Sequence, residues 1–358
     1  MSQCLLIDIL GNVEKLSSLT LSQWDLLVRQ SRSANLLGKL YYILIEQNYF
    51  DRIPEAVKKH FFSENKYFEA QQSSIEWEVE NLKHALRHVD TPVVLLKGAA
   101  YIKAKLKAGD GRIFNDIDIL VTAQSIEKVE EALKKHGWLS THLDEYDQKY
   151  YRKWMHEIPP LKHYQRKTVL DIHHNILPRT SKNTPDSQKL IDASIPIDET
   201  GKLRVLSDVD MFIHSATHLF HEGEFNHGLR DLVDMEQLLS ENIRTDFKKD
   251  LFDRAEELGL QWPVQYAFVY IDKILNRKLI GDTDLKLKKK LKNKRGLAVI
   301  HWVYSSAFMS FHKSCAKAFT PVALWLLYIR GHWLKMPLYL LLPHLFHKAF
   351  KKDTVTPL

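Results

Sequence analysis

The stretch from Val93 to Val121 constrains the fold of this chain more than any other part of the sequence. It opens with the apolar run VVLL, which is long enough to predict a short buried strand. The segment KGAA interrupts that run, and Ala99 to Lys107 is expected to form a helix. A turn at Gly109-Asp110-Gly111 then leads into a second predicted strand, FNDIDILV. The order strand, glycine, helix, turn and strand predicts a small α/β unit.

Two aspartates stand on one face of the second strand. Residues two apart in a strand point to the same side, so Asp116 and Asp118 are neighbours while Ile117 and Ile119 face a core. Two adjacent carboxylates repel each other, and a bridging divalent cation removes this cost. Carboxylate oxygens are the ligands that Mg²⁺ prefers. The alternative is a half-buried edge strand with a solvated acidic face.

A third carboxylate, Asp171, lies in the middle of another predicted strand, TVLDIHHNI. Val169 and His173 share its face, and Gln165-Arg166-Lys167 is the expected hairpin turn before the strand. A lone carboxylate among apolar neighbours is unfavourable unless something pairs with it. If this strand lies beside the first, three carboxylates converge on one or two cations, as two-metal phosphoryl transfer requires. Alternatively, Asp171 pairs with a nearby lysine, arginine or histidine.

The predicted strand-to-helix turn at Lys97-Gly98 has the features of a phosphate site. Glycine permits close backbone approach, and a helix N-terminus presents free N–H groups and the positive end of the helix dipole. Arg112, just before the second strand, is a candidate clamp for phosphate or pyrophosphate. The chain contains neither a Walker A loop nor a Gly-x-Gly-x-x-Gly motif, which argues against a dinucleotide-binding fold.

Four segments occur in a recognisable order: LLKGAA, GRIFNDIDILV, VLDIHHNI and HSATHLF…GLRDLVDMEQLL. Together they resemble the DNA polymerase β-type nucleotidyltransferase superfamily. More narrowly, they resemble the bacterial group called uncharacterised nucleotidyltransferases, whose members often accompany polysaccharide or peptide natural-product genes. The resemblance runs from about Asn81 to Leu239 and is weaker in the helical flanks.

The resemblance implies a role for each matching residue. Asp116, Asp118 and Asp171 would be the metal ligands and catalytic residues, and Asp171 would help to deprotonate an acceptor hydroxyl. Gly98 and Ala99 would occupy the phosphate-binding turn. The superfamily usually has Gly-Ser or Gly-Gly at that turn, so a serine hydroxyl contact is lost here while the backbone donors remain. The spacing from Gly98 to Asp116 is also longer than is usual in the superfamily.

The implied reaction is metal-assisted. With Mg²⁺ or Mn²⁺ as cofactor, the protein would move NMP from an NTP to a hydroxyl group and release pyrophosphate. The acceptor is unidentified and is a small molecule, a glycan or RNA. Lys97 and Arg112 would neutralise the triphosphate. Two alternatives stay open: a degenerate fold that binds a nucleotide or acts as a scaffold, and a toxin-like transferase that acts on tRNA.

The implied fold class is α+β, with a small mixed-sheet core of the polymerase β type between helical flanks. Residues 1–91 are the predicted N-terminal helical region, and 92–178 are the core. Residues 179–275 are a helical region that closes the cleft, and it starts with a loop-rich link over 179–207. Residues 276–358 are a basic, aromatic, helical C-terminal region.

Apolar residues at helical spacing predict the helices of both flanks. The N-terminal flank has helical spacing from Leu21 to Gln47, with Ser22 as the expected cap, and then one long helix that ends near His88. In the C-terminal flank the predicted helices are Val209–His221, Leu229–Leu239, Phe247–Leu258, Trp262–Leu275 and Leu285–Tyr304.

Three histidines, His214, His218 and His221, fall on one face of a predicted helix. A zinc site is one interpretation, but the Glu that follows the first His in metalloprotease helices is absent, and so is a Cys partner. The favoured interpretation is a helix that lies against the cleft, with His218 as a polar cleft residue. Arg230 and Asp234 on the next helix fall on one face and are expected to pair with each other or to contact substrate. Arg230 and His173, which lies on its strand, are further candidates for the cleft.

The net charge of +7 is unevenly distributed. From Arg277 to Leu358 there are 16 Lys/Arg and 3 Asp/Glu, so the basic character belongs to the C-terminal quarter. This region suits nucleic acid or an anionic membrane surface, or it is a solvated helix face. Pro321 to Lys352 is aromatic and apolar but is interrupted before it reaches a membrane-spanning length, and packing is the favoured interpretation.

The chain has two cysteines, Cys4 and Cys315, whose spacing matches no metal or disulfide pattern. The N-terminal sequence MSQCLLIDILGNVEKL lacks the basic and apolar regions of a signal peptide. Both features predict a reducing, cytoplasmic location, with the membrane surface as a peripheral alternative, and no disulfide is expected.

Overall fold

The computed structural model of the chain describes residues 4–141, 144–242, 246–277, 279, 295–341 and 343. Helices on both sides of the core in sequence enclose a mixed sheet that has seven strands in this part of the chain. The architecture is consistent with the predicted α+β class.

The helices before the sheet are α1 (Leu5–Gly11), α2 (Leu21–Ser33), α3 (Leu37–Glu46) and α4 (Glu55–Leu86). They confirm the helical N-terminal flank, but the cap of α2 is Thr20 and not Ser22. Thr20 has extended backbone angles, and its hydroxyl accepts from the Gln23 amide at 3.3 Å. The Gln23 side chain accepts from the Thr20 amide at 2.8 Å. This capping box satisfies two otherwise free amides, and Ser22 lies inside the first turn.

The sheet contains the motifs that the sequence singled out. Its strands are β1 (Val93–Leu95), β2 (Asp116–Leu120), β3 (Trp138–Ser140), β4 (Leu161–His163), β5 (Val169–His173), β6 (Ile195–Pro196) and β7 (Leu203–Val205). Their spatial order is β3-β4-β5-β2-β1-β7-β6. Helix α5 (Lys97–Lys103) connects β1 to β2, and α6 (Ile126–Lys135) and α7 (Glu145–Trp154) lie between β2 and β4.

The pairing of β2 with β5 decides where the carboxylates stand. The two strands are parallel, with Asp116 opposite Val169 and Asp118 opposite Asp171. On the other side β2 pairs with β1 in antiparallel orientation. Ile117 in β2 is buried. The predicted alternation of aspartates and isoleucines is therefore confirmed.

The predicted loop-rich link over 179–207 is wrong in part. It contains a short helix, α8 (Ser187–Asp192), and the strands β6 and β7. Strand β7 pairs in parallel with β1, with Val93 opposite Leu203, so the sheet continues beyond residue 178. The two strands have only two and three residues. Such short runs carry too little alternation to be recognised as strands in a sequence.

The helices after the sheet are α9 (Asp208–His221), α10 (Gly228–Glu241), α11 (Phe247–Glu257), α12 (Gln261–Leu275), α13 (Arg295–Ala307) and α14 (Thr320–Lys335). They confirm the predicted helices as far as the described residues reach. The first part of the predicted helix Leu285–Tyr304 lies outside them. Among the helices searched, none is long and apolar enough to cross a membrane.

Helix α14 packs through one face only. The Arg330 guanidinium donates to the Phe220 carbonyl at 2.8 Å and to the Tyr304 hydroxyl at 2.9 Å. On the outer face Trp325 and Trp333 are 60% and 56% exposed. Packing thus accounts for the inner face, and contact of the outer face with an anionic partner stays a prediction. Most of the basic tail after residue 341 lies outside the described part of the chain.

The two cysteines correct a prediction, because Cys4 and Cys315 form a disulfide with their Cα atoms 4.9 Å apart. Gln30 in α2 brings the two segments together. Its side-chain oxygen accepts from the Leu6 amide at 2.9 Å, and its amide donates to the Ser314 hydroxyl at 2.7 Å. A sequence separation of 311 residues gives no spacing pattern that could have predicted this pairing.

Two glycines meet where α3 crosses the turn before β2. Gly111 has φ +64°, and a Cβ added there would lie 2.2 Å from the Gly38 carbonyl carbon. Only glycine combines this left-handed backbone with such a close approach. The contact fixes the backbone next to Arg112 against the N-terminal helices.

We expect Gly111→Ala to destabilise the fold more than Gly201→Ala. Gly201 has a similar φ of +68°, but a Cβ there meets nothing within 4 Å. Both changes force a left-handed L-residue, at about 1–2 kcal/mol. Gly111→Ala adds a backbone clash of roughly 1–3 kcal/mol. Urea unfolding of both variants measures the difference, and equal losses of stability would contradict the role of the Gly38–Gly111 contact.

Candidate active site

A cleft of about 300 Å³ opens between the sheet and helices α5, α9 and α10. Most of the side chains that the sequence proposed for a site line it. These are Lys97, Gly98, Arg112, Asp116, Asp118, His218 and Arg230. Asp171 and His173 lie on the neighbouring strand β5, where Asp171 is opposite Asp118. Ala99 is buried in α5 and is not among the lining residues.

The three aspartates converge as the register of β2 and β5 requires. Asp116, Asp118 and Asp171 each offer a carboxylate oxygen, and these oxygens lie within 4.8 Å of one another. The buried Oδ1 of Asp171 has no hydrogen-bond partner among the described residues. Burial raises the pKa of Asp171 to about 7, and the negative charges of Asp118 and Glu157 act in the same direction. The arrangement therefore offers an unsatisfied ligand to a cation.

Asp118 is the best-satisfied of the three carboxylates. Its Oδ1 accepts from the Lys97 ammonium at 2.8 Å and from His173 Nε2 at 3.0 Å. Burial opposes ionisation of Asp118, but the Lys97 charge and the His173 hydrogen bond outweigh it and hold the pKa of Asp118 well below its usual range. Asp118 is thus held in its ionised form, with two donors that orient it.

The turn at Lys97-Gly98 has an unusual backbone. Lys97 has φ +47°, a conformation that non-glycine residues rarely adopt. A Cβ on Gly98 would lie 2.6 Å from the Phe114 ring, so glycine is required for this packing. Phe114 is itself fixed by Gln71 of α4, whose side chain bonds both its amide and its carbonyl. These contacts direct the Lys97 side chain toward Asp118.

The opposite end of the cleft is a buried network of charges. Arg112 forms an ion pair with Asp234 and lies 3.7 Å from an Asp231 oxygen, and Arg230 bonds Asp231 at 2.8 Å. The fully buried Lys39 ammonium lies 3.0 Å from Asp234. Burial, reinforced by the nearby Arg230 charge, lowers the pKa of Arg112 to about 10. Arg230 and Asp234 were expected to pair with each other or to contact substrate. Arg230 pairs with Asp231, and Asp234 pairs with Arg112 and Lys39, while contact with substrate stays a prediction.

Sequence reasoning missed Lys39 and Asp231. Lys39 sits in the apolar run LLGKLYYIL, and a lysine on the buried side of a helix is a signal that a partner is needed. Its Nζ also donates to the Ala108 carbonyl at 2.8 Å and to Gln237 at 2.7 Å. Lys39 thus ties α3 to α10 and to the turn before Arg112.

The histidines of α9 are arranged as the favoured interpretation expected. His218 lines the cleft, and burial lowers its pKa to about 4. His221 Nδ1 contacts the Thr217 carbonyl at 2.9 Å, and its ring lies 4.7 Å from that of Trp262. Within the described residues, no group of metal-type ligands includes His214, His218 or His221. The zinc interpretation of this helix is therefore not supported.

Comparison of the chain with models of protein families gives one assignment. A family model described as "Uncharacterised nucleotidyltransferase" matches residues 20–276. The chain belongs to this family. A search of curated proteins finds no match. Membership supports a general nucleotidyltransferase activity with an NTP as substrate, and the matched range contains the whole sheet and the helices around the cleft.

We expect Asp171 to lower the stability of the metal-free protein as the pH rises from 5 to 7.5. A carboxyl whose pKa is raised to about 7 on folding binds its proton more tightly in the folded state. Its contribution is therefore favourable at low pH and is lost as the pH rises through 7. Buried histidines such as His218, whose pKa is lowered by burial, act in the opposite direction but equally in both proteins. Urea unfolding in EDTA at both pH values should therefore show that the stability of Asp171→Asn relative to the wild type increases from pH 5 to pH 7.5. An unchanged pH dependence in the variant would contradict the raised pKa.

Proposed function

We propose that this protein is a metal-dependent nucleotidyltransferase, with a core of the polymerase β type, that moves NMP from an NTP to a hydroxyl of an acceptor and releases pyrophosphate. The convergence of Asp116, Asp118 and Asp171 at one end of the cleft carries this proposal. Membership of the nucleotidyltransferase family supports the same reaction class.

The carboxylate group fits a divalent cation. All of its donors are oxygens, the ligand type that Mg²⁺ and Mn²⁺ favour. The buried Asp171 Oδ1 has no hydrogen-bond partner among the described residues, which is costly unless a cation or a proton satisfies it. Asp116, Asp118 and Asp171 would hold the ion. When bound, it supplies positive charge that stabilises the triphosphate and the departing pyrophosphate.

The two ends of the cleft carry opposite charge. In the network of Lys39, Arg112, Arg230, Asp231 and Asp234, three basic groups face two carboxylates. The excess of positive charge opposite the aspartates comes from Lys39 when it is protonated, and burial lowers the pKa of Lys39 well below its usual range. Such an excess, in a cleft shielded from water, attracts an anion. A nucleotide that spans the cleft would place its phosphates between this network and Lys97.

Each residue of the cleft would have a separate role in the reaction. Lys97 and Arg112 neutralise phosphate oxygens, and Arg230 supports Arg112 by binding the Asp231 carboxylate. Asp171 accepts the proton of the acceptor hydroxyl at a carboxylate oxygen. His173 keeps Asp118 oriented through its Nε2 hydrogen bond.

A second candidate function is nucleotide binding without transfer. The observation that favours it is the pairing of Asp118 with both Lys97 and His173, since a carboxylate with two donors has less need of a metal. For the third candidate, a transferase that acts on tRNA, the basic C-terminal region was the predicted contact, and much of that region lies outside the described residues.

We expect the double variant Asp116→Asn with Asp118→Asn to lose Mg²⁺-dependent NTP binding in calorimetry, because two of three ligand charges are removed. It should also lose pyrophosphate release, measured with each NTP in the presence and absence of RNA. The control is Glu131→Gln, which alters an exposed ion pair on α6. Unchanged Mg²⁺-dependent NTP binding in the double variant would rule out the metal assignment. If the wild-type protein binds NTP but releases no pyrophosphate, the second candidate function, nucleotide binding without transfer, is favoured.

We expect Lys97→Met to affect Mg²⁺ binding and NTP binding in different directions. The change removes a cation from Asp118, so Mg²⁺ binding without nucleotide should stay equal or become stronger. It also removes a phosphate contact, so NTP binding in saturating Mg²⁺ should weaken about tenfold or more. Calorimetry with each ligand measures both effects, and parallel losses of Mg²⁺ and NTP binding would mean that Lys97 only maintains the fold.

A further inference from the structure

A second group of metal-type ligands lies next to the aspartates. His156, Glu157 and His173 each offer one ligand atom, and these atoms lie within 4.8 Å of one another. Backbone pairing holds the group in place, because Glu157 bridges to His173 in antiparallel orientation. The His174 amide also donates to the His156 carbonyl at 2.8 Å. His173 thus lies in β5, and the segment that carries His156 and Glu157 is held against this strand by backbone contacts.

His173 links this group to the aspartates. Its Nε2 lies 3.0 Å from Asp118 Oδ1, and its Nδ1 lies 3.4 Å from Glu157 Oε2. A carboxylate only accepts hydrogen bonds, so the Asp118 contact assigns a hydrogen to Nε2. In the neutral ring, the lone pair of Nδ1 then faces the Glu157 carboxylate. Either a proton on Nδ1 or a cation between these two atoms satisfies the contact, and a cation would take both atoms as ligands.

His156 provides an independent indication of a ligand. Its Nδ1 is buried and has no hydrogen-bond partner among the described residues. Buried polar atoms of this kind are uncommon in folded proteins and often mark a missing ion or water. The His156 ring centroid lies 5.2 Å from that of His173, so both imidazoles belong to one small volume.

We propose that His156, Glu157 and His173 form a second cation site, which takes a divalent transition metal of the Zn²⁺ type. Two imidazoles and one carboxylate are the ligand set of zinc sites that keep a position open. Imidazole nitrogen favours Zn²⁺ and Fe²⁺, whereas the all-oxygen aspartate group favours Mg²⁺. In this arrangement His173 binds the metal through Nδ1, and Asp118 accepts a hydrogen bond from its Nε2, as carboxylates often do at metal-binding histidines. The two sites lie side by side and differ in their metal.

The test is a calorimetric titration of the full-length protein with ZnCl₂, after removal of metals by a chelator and in excess Mg²⁺. We expect the wild type to bind one equivalent of Zn²⁺. His156→Asn and Glu157→Gln should each weaken binding at least about 100-fold, beyond the effect typical of outer-shell residues. The matched control, His136→Asn, changes an exposed histidine at the end of α6 and should bind as the wild type. Asp116→Asn should keep Zn²⁺ binding.

A spectroscopic readout separates ligation from a general loss of structure. Co²⁺ in place of Zn²⁺ should give visible absorption bands that disappear in both site variants while their circular dichroism spectra remain native. If His156→Asn misfolds, Glu157→Gln alone decides.

Absence of Zn²⁺ binding in the wild type would overturn the proposal and would indicate that a proton on His173 Nδ1 satisfies Glu157. Zn²⁺ binding lost in Asp116→Asn but kept in His156→Asn would also overturn it, because the metal would then belong to the aspartates. None of these outcomes depends on nucleotidyl transfer.

Discussion

The parallel pairing of β2 with β5 is the interaction on which the candidate site depends. It brings Asp118 beside Asp171, although two neighbouring carboxylates repel each other in a partly buried sheet. The backbone hydrogen bonds of the ladder and the buried isoleucines of β2 hold this register against the repulsion. A slip by one residue would send the aspartates into the core and the isoleucines into the cleft, so the register is strongly specified. The cost of the charges is offset locally by Lys97 and His173, which both bind Asp118.

The buried charge network at the other end of the cleft has a related structural role. Lys39, Arg112 and Arg230 come from α3, from the turn before β2 and from α10, and Asp231 and Asp234 join them. Removal of one partner from such a buried pair typically costs about 3–5 kcal/mol, because the other charge is left uncompensated. The network therefore locks the N-terminal helices and α10 onto the sheet. It also fixes the position of the guanidinium groups that reach the cleft.

Much of this arrangement was predictable because it has a local signature. The alternation in FNDIDILV, the strand TVLDIHHNI and the apolar spacing of α2, α9 and α10 are patterns of a few residues, and the structure confirms them. The rest depends on contacts between distant segments. No local pattern pairs Cys4 with Cys315, places Lys39 against Asp234, or brings His156 to His173. The strand β7 was missed for another reason: Leu203-Arg204-Val205 shows only one alternation in a polar segment, whereas the equally short β1 is marked by the apolar run VVLL.

Helix α9 has a consequence for how a substrate enters the cleft. Eleven of its fourteen residues are buried, and it packs against α10, α11 and α12 while His218 faces the cleft. A helix with this much of its surface in the core is a fixed wall and not a swinging lid, since any tilt would open the packing on several sides. Access is therefore controlled at the rim, where the loop after α2 meets the loop before α10. There the Asn35 side-chain amide lies 3.4 Å from His227 Nδ1, and this contact joins the two loops across one side of the cleft. A substrate that needs a wider entrance would have to break it.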